Sequence, residues 1–173
     1  MAALYNGAAV LRVAGVIDDS IVDGEGFRLT VFVQGCSMHC EGCHNVSAQD
    51  PSGGYDITVE QIMELVRKNS FLDGVTFSGG EPFDQATALI ELAKAVKSFS
   101  RPLTLWMYSG YVYENLITQP EKNELLAYCD VLIDGPFVSA QRTLDVPFKG
   151  SKNQRIIDVK KTQSTNAIEL YLE

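Results

Sequence analysis

Four short apolar runs in this chain each break into a glycine turn, and that repetition limits what it can fold into. Leu29-Thr-Val-Phe-Val33 leads to Gly35, Gly74-Val-Thr-Phe-Ser78 to Gly79-Gly80, Leu103-Thr-Leu-Trp-Met-Tyr108 to Ser109-Gly110, and Val131-Leu-Ile-Asp134 to Gly135. β-Branched and aromatic residues at this density, bounded by glycine, read as buried strands. Between them lie segments of helical period. Ile62, Leu65 and Val66 follow a capping box that joins Thr58 to Gln61; Ala88, Leu89, Leu92, Ala93 and Val96 form the inward face of a helix that Asp84 caps and that runs through Lys97; a further helix covers Glu121 to Tyr128. Such alternation predicts parallel strands joined by right-handed crossovers. The chain's 173 residues fall short of the roughly 250 of a full eight-unit barrel. The expected fold is therefore α/β, either a partial (open) β/α barrel of parallel strands with outer helices or an open sheet. Leu11 to Ile17 adds a strand, Ser20 to Arg28 a turn with Gly24 and Gly26, and Ala48 to Asp56 a polar loop. Beyond Pro136 the pattern weakens to one helical turn over Ser139 to Thr143, a turn at Pro147 to Gly150 and a late strand over Arg155 to Val159. No linker or internal repeat divides the chain, so one domain, 1–173, is expected.

Three of the four cysteines, Cys36, Cys40 and Cys43, and both histidines, His39 and His44, fall in the loop from Gly35 to Asn45. That loop follows a strand, and ligands in α/β folds sit at the C-terminal ends of parallel strands. Three soft thiolates so close in sequence can serve an iron-sulfur cluster, a zinc ion or a redox thiol site. A structural zinc site needs four ligands, so His39 or His44 would have to close it from within the same crowded loop. A cubane of four irons accepts three thiolates and leaves one iron open to a small molecule. Cys129, in the apolar junction Leu125-Leu-Ala-Tyr-Cys-Asp-Val-Leu132, reads as a core residue. Gly79 and Gly80 lack a Cβ, which allows their backbone to approach a ligand closely and equally suits a helix-entry turn.

Composition excludes other classes. Fourteen Lys and Arg face 22 Asp and Glu, a formal net charge of −8, and phosphate binding needs the opposite balance. The local basic group Lys149, Lys152, Arg155, Lys160 and Lys161 reads as solvated surface. No run has the length of a membrane span and the N-terminus carries no secretory pattern, so no nucleic-acid or membrane partner is expected, and a cytoplasmic location is. Reduced thiols suit that compartment better than disulfides.

The cysteine spacing resembles that of the radical S-adenosylmethionine enzymes, as does Ser78-Gly79-Gly80-Glu81-Pro82 one strand-helix unit later. The resemblance narrows to the activases of glycyl radical enzymes through Val22-Asp-Gly-Glu-Gly-Phe-Arg28 and Cys43-His44-Asn45. Glu25 replaces the family's usual proline, and Gly42 stands where many radical enzymes carry an aromatic residue. Leu105 to Tyr111, Val131 to Phe137 and Gly150 to Asp158 are similar to the activases that serve anaerobic ribonucleoside-triphosphate reductase, and the matches run from Ser20 to Asp158. The resemblance implies a radical SAM type of open barrel in which Cys36, Cys40 and Cys43 bind a 4Fe-4S cluster whose open iron takes S-adenosyl-L-methionine. It makes Gly79, Gly80 and Glu81 cofactor-binding, with Gly80 and Glu81 by the methionine amino group, and places Gly42, Cys43 and His44 near the adenosyl part and Asp134 in polar contact with the methionine moiety. It implies one-electron reduction by an external donor such as flavodoxin or ferredoxin, then homolysis to methionine and a 5′-deoxyadenosyl radical that takes hydrogen from a glycine of the reductase. No side-chain acid or base is required, so none is expected to be catalytic; His39 reads as structural or surface-exposed. The rivals are activation of another glycyl radical enzyme of the pyruvate formate-lyase type, a radical reaction on a small molecule, and a non-catalytic zinc-binding adaptor.

Overall fold

The apolar runs lie side by side in the computed structural model, which describes residues 4–172. Its strands are β1 (Val10–Ser20), β2 (Arg28–Val33), β3 (Tyr55–Thr58), β4 (Gly74–Gly79), β5 (Thr104–Tyr108), β6 (Val131–Asp134), β7 (Arg155–Asp158) and β8 (Leu170–Leu172). The helices are α1 (Val59–Lys68), α2 (Ala86–Lys97), α3 (Tyr113–Leu116), α4 (Pro120–Leu126) and α5 (Val159–Thr165). All strands join one sheet in the order β3-β1-β2-β4-β5-β6-β7-β8.

The centre, β2-β4-β5-β6, is parallel as expected. Both flanks depart from that expectation: β1 runs antiparallel to β2 and β3, and β7 antiparallel to β6 and β8. The connection over 21–27 is too short for a crossover, which needs about a dozen residues, so the chain returns as a hairpin. The polar loop before α1 ends in β3, and the chain after Asp158 forms α5 and β8. The Thr58 capping box is present: Gln61 N–H donates to Thr58 Oγ1 at 3.2 Å, and Thr58 N–H to Gln61 Oε1 at 2.8 Å. Asp84 is not the cap of α2. The carboxylate of Glu81 caps a 3-10 turn over Pro82–Gln85 instead, accepting from Phe83 N–H at 3.0 Å, and α2 starts behind it at Ala86.

Alternation along the strands separates two faces. Leu29, Val31, Val33, Val75, Phe77, Leu105, Met107 and Leu132 point to a core that receives residues from all five helices, including Ile62, Leu89, Leu116, Leu125 and Val159. Helices thus cover one face only. The other face holds a smaller cluster of Trp106, Val131, Ile133 and Ile156 with Phe148 and Leu172 packed on it. At its N-terminal end Arg28 closes the floor. Its guanidinium donates to Thr76 Oγ1 at 2.6 Å, Val75 O at 2.8 Å and Thr104 O at 3.0 Å, and lies 5.3 Å above the Trp106 ring. Burial lowers its pKa to about 10. The helix-free face is therefore filled at one end and open at the other, where the cysteine loop lies. No helix among the described residues is long and apolar enough to cross a membrane.

Candidate active site at the C-terminal strand ends

The open end of the helix-free face is a cavity of about 450 Å³, within the roughly 300–1,000 Å³ of small-molecule and cofactor sites. Cys36, Cys40, Cys43 and His44 reach it from the loop after β2; Ser78, Gly79, Gly80 and Glu81 from the end of β4; Tyr108, Ser109 and Gly110 from β5; Gly135 and Phe137 from the chain after β6. The topology thus brings together residues that lie a hundred positions apart. The three thiols are half-buried. Burial pushes the Cys36 thiol above its ordinary pKa, while the nearby Met38 and His39 backbone N–H groups pull the other way. Among the described residues no three His, Cys, Asp or Glu side chains are gathered at the separations of a single-ion site. The donor set itself, three soft thiols on one wall of a cofactor-sized cavity, fits an iron-sulfur cluster.

Backbone bonds fix where the loop leaves and rejoins the sheet. Gly35 N–H donates to Ala48 O at 2.7 Å and Cys36 N–H to Gln49 O at 3.1 Å, and the Gln34 amide donates to Ser47 O and Asp50 O. Between the cysteines the loop turns at two left-handed residues, His39 (φ 47°) and Gly42 (φ 75°). A Cβ on Gly42 would meet Ser139 Oγ at 3.1 Å and Phe137 Cε1 at 3.6 Å, so the aromatic ring beside this position comes from the chain after β6.

Gly79 and Gly80 prolong the β2–β4 contact into the cysteine loop. Gly80 N–H donates to Val33 O at 2.8 Å and Glu81 N–H to Gly35 O at 2.9 Å. Their missing Cβ atoms serve a close approach of backbone to backbone as well as lining the cavity. Glu81 is 1% exposed, and its carboxylate accepts from Phe83 N–H, from Ser109 Oγ–H at 2.9 Å and from Gly110 N–H at 2.7 Å. Burial raises its pKa from 4.5 to about 7, with Asp84 pushing the same way and the three donors opposing. Folding therefore takes up a proton here between pH 4.5 and about 7, and stability fully present below pH 4.5 is lost as pH rises through about 7. Relative to Glu81→Gln, the wild-type chain is predicted to lose about 3 kcal/mol of stability across that window. Urea denaturation at both ends of the window checks this, and a pH-independent difference between the two proteins contradicts it.

Gly42 does not line the cavity, and neither does Asp134. Asp134 is 1% exposed, its carboxylate bound by the Arg155 guanidinium (Nε to Oδ1, 2.9 Å) and by Tyr113 N–H at 2.7 Å. Its neighbour Gly135 faces the cavity instead. The segment Asn153-Gln154-Arg155 likewise does structural work. Asn153 donates to Pro136 O at 2.8 Å; Gln154 Oε1 accepts from Gly150 and Ser151 N–H, and Gln154 Nε2 donates to Gly135 O at 3.0 Å. These bonds fold the chain between β6 and β7 over the cavity, so that Phe137, Arg142, Leu144 and Lys149 line it. Sequence reasoning missed those four residues, and also Val22 and Asp23 from the β1–β2 turn; the Asn-Gln pair was the available signal. Cys129 is fully buried against Leu105 O and Val131 O, away from the cavity, and burial raises its pKa.

Comparison with known proteins agrees with this geometry. A family model described as a 4Fe-4S single cluster domain matches residues 22–157. The anaerobic ribonucleoside-triphosphate reductase-activating protein of Vibrio cholerae is 34% identical over 142 residues, covering 79% of this chain and 90% of its own. That of Haemophilus influenzae has the same identity and coverage. The pyruvate formate-lyase-activating enzyme of Clostridium pasteurianum is 33% identical over 127 residues, covering 70% of this chain and 50% of its own. The three-cysteine loop, the glycine turn and the sequence likeness converge: the chain belongs to the 4Fe-4S single cluster domain family and to the family of the anaerobic ribonucleoside-triphosphate reductase-activating proteins.

Proposed function

We propose that this chain is an activase that forms the glycyl radical of anaerobic ribonucleoside-triphosphate reductase, using a 4Fe-4S cluster and S-adenosylmethionine. The observation that carries the reading is that Cys36, Cys40, Cys43 and the Gly79-Gly80-Glu81 turn share one cavity in a chain of this family. Bound together, the two groups supply a one-electron reduction of a carbon–sulfur bond and hence a carbon radical able to take hydrogen from a glycine α carbon. The protein's own part is to bind, orient and keep water out. Cys36, Cys40 and Cys43 would hold the cluster through three of its irons, leaving the fourth for S-adenosylmethionine, and Gly80 and Glu81 would lie beside the methionine amino group. Gly42 to His44 run along the adenosyl part, and Phe137 offers the apolar face that Gly42 lacks. Asp134 acts at one remove, by holding Arg155 and the start of α3 beneath Gly135. Electrons come from an external one-electron donor of the flavodoxin or ferredoxin kind.

We infer that the sheet curls as a partial barrel. Helices on one face only support this, and so do two contacts across the other face. Tyr171 on β8 donates to Glu25 Oε2 at 2.6 Å, and its ring meets that of Trp106 on β5 at 5.4 Å. Glu25 sits in the turn that enters β2, five places from β8 in the strand order, a span of about 24 Å were the sheet flat.

The test combines reconstituted chain, reductant and S-adenosylmethionine with the reductase under anaerobic conditions and records electron paramagnetic resonance. A glycine-centred doublet with the reductase, absent with a pyruvate formate-lyase type partner, is expected. A colourless protein with stoichiometric zinc and no S-adenosylmethionine cleavage overturns the reading in favour of an adaptor; a doublet with the other partner alone reassigns the target.

A further inference from the structure

We propose that Asp84 and Tyr111 are positioning residues for the cysteine loop, forming with Ser37 a three-way latch that holds the chain after Cys36 against the ends of β4 and β5. The proposal rests on the function given above only for the identity of the group that Cys36 holds.

Asp84 lies in the 3-10 turn after β4 and is exposed, yet both of its oxygens are engaged by distant chain. Oδ2 accepts from Ser37 N–H at 3.0 Å across 47 positions, and Oδ1 from Tyr111 OH at 2.9 Å across 27. Ser37 Oγ lies 3.1 Å from the Tyr111 oxygen. A phenol has one proton, and here the carboxylate takes it; the Ser37 hydroxyl must then donate to Tyr111. The directions close a ring: serine hydroxyl to phenol, phenol to carboxylate, and backbone N–H of the same serine to the carboxylate's other oxygen. Two of the three bonds end on an ionised oxygen and belong to the stronger class.

Tyr111 is itself fixed. Its N–H donates to Ser109 Oγ at 3.0 Å, whose proton goes to buried Glu81, and Lys122 Nζ stands 3.9 Å from the centre of its ring. Two carboxylates three residues apart thus grip the segment after β5, Glu81 at Ser109 and Gly110 and Asp84 at Tyr111, and Asp84 alone extends the grip to the cysteine loop. Among the described residues, hydrogen bonds from 37–39 to other elements run only through Ser37. Met38 adds packing, for a Cβ on Gly110 would lie 2.6 Å from Met38 Cγ. The latch also carries charge. The Asp84 carboxylate is bonded to the N–H of the residue next to Cys36, and a negative charge so placed opposes adding an electron to a cluster held there.

The test compares wild-type chain with Asp84→Asn and Tyr111→Phe, each losing one polar function at nearly constant shape. Hydrogen exchange is followed before and after cluster reconstitution, and the cluster's reduction midpoint is measured by potentiometric titration. Both variants are expected to speed exchange of the 37–40 amides by about fivefold or more while strand amides keep their rates. Asp84→Asn is expected to raise the midpoint, and Tyr111→Phe, which keeps the charge, is not. Exchange of 37–40 within about twofold of wild type in both variants overturns the latch, as does an unchanged midpoint in Asp84→Asn. Should the wild-type chain hold no iron, the proposed function fails on its own, and the exchange measurement still decides the latch.

Discussion

Alanine at Cys36, Cys40 or Cys43, one position at a time, is expected to remove the bound iron and with it all detectable cleavage of S-adenosylmethionine. Each thiolate is assigned its own iron, and among the described residues the cavity wall offers no fourth thiol, since Cys129 is buried elsewhere behind β5 and β6. No acid or base on the wall can take over, because hydrogen-atom transfer needs none and the chemistry belongs to the bound groups. Cys129→Ala is the matched control. It deletes a small buried side chain, costs about 1 kcal/mol and leaves the iron in place. Iron per chain and visible absorbance after anaerobic reconstitution separate the two outcomes. Full iron in a Cys40→Ala protein, or iron lost from Cys129→Ala, contradicts the assignment.

Gly80→Ala should be strongly damaging for the addition of a single methyl. The added Cβ would stand 2.1 Å from Gly35 O, 2.8 Å from Gly35 C and 2.9 Å from Ala48 O. All three are backbone atoms, so no side chain can swing aside, and relief requires moving either the end of β4 or the entry to the cysteine loop. A cost of about 3 kcal/mol is expected, lowering the melting temperature by roughly 9 °C in a chain of this size. Iron content should fall with it, because Gly35 is the residue from which the loop departs. Gly15→Ala on β1, whose Cβ would meet nothing within 4 Å, should melt close to wild type. Equal melting temperatures for the two variants would show that the approach of β4 to the loop is not tight.

The two glycines also show how far the sequence could be read. That Gly79-Gly80 permit a close approach follows from their lack of Cβ; that the approaching partner includes the backbone of Val33 and Gly35 depends on β2 and β4 being neighbours, which local pattern does not encode. The parallel centre was legible because its strands are continuous apolar runs separated by helical period. The antiparallel flanks were not: the short turn over 21–27 explains β1 against β2, but the connection over 135–154 is long enough for a crossover and still returns antiparallel, and β3 and β8 are strands too short to carry a periodic signal. The same limit governs the site. Cys36, Cys40, Cys43 and His44 are local in sequence and could be grouped at once, whereas Arg142, Leu144 and Lys149 reach the cavity only because Gln154 folds their segment back over it. Asp84 reads as a helix cap by spacing, yet its carboxylate turns to Ser37 and Tyr111, a competition between short-range and long-range donors that only the fold decides.

The most direct measurement follows the hydrogen atom. The reductase is prepared with glycine deuterated at its α carbon, mixed anaerobically with reconstituted chain, reductant and S-adenosylmethionine, and the 5′-deoxyadenosine is examined by mass spectrometry. The account predicts deuterium in 5′-deoxyadenosine in proportion to the glycyl radical formed. Radical formation accompanied by 5′-deoxyadenosine free of deuterium would contradict it.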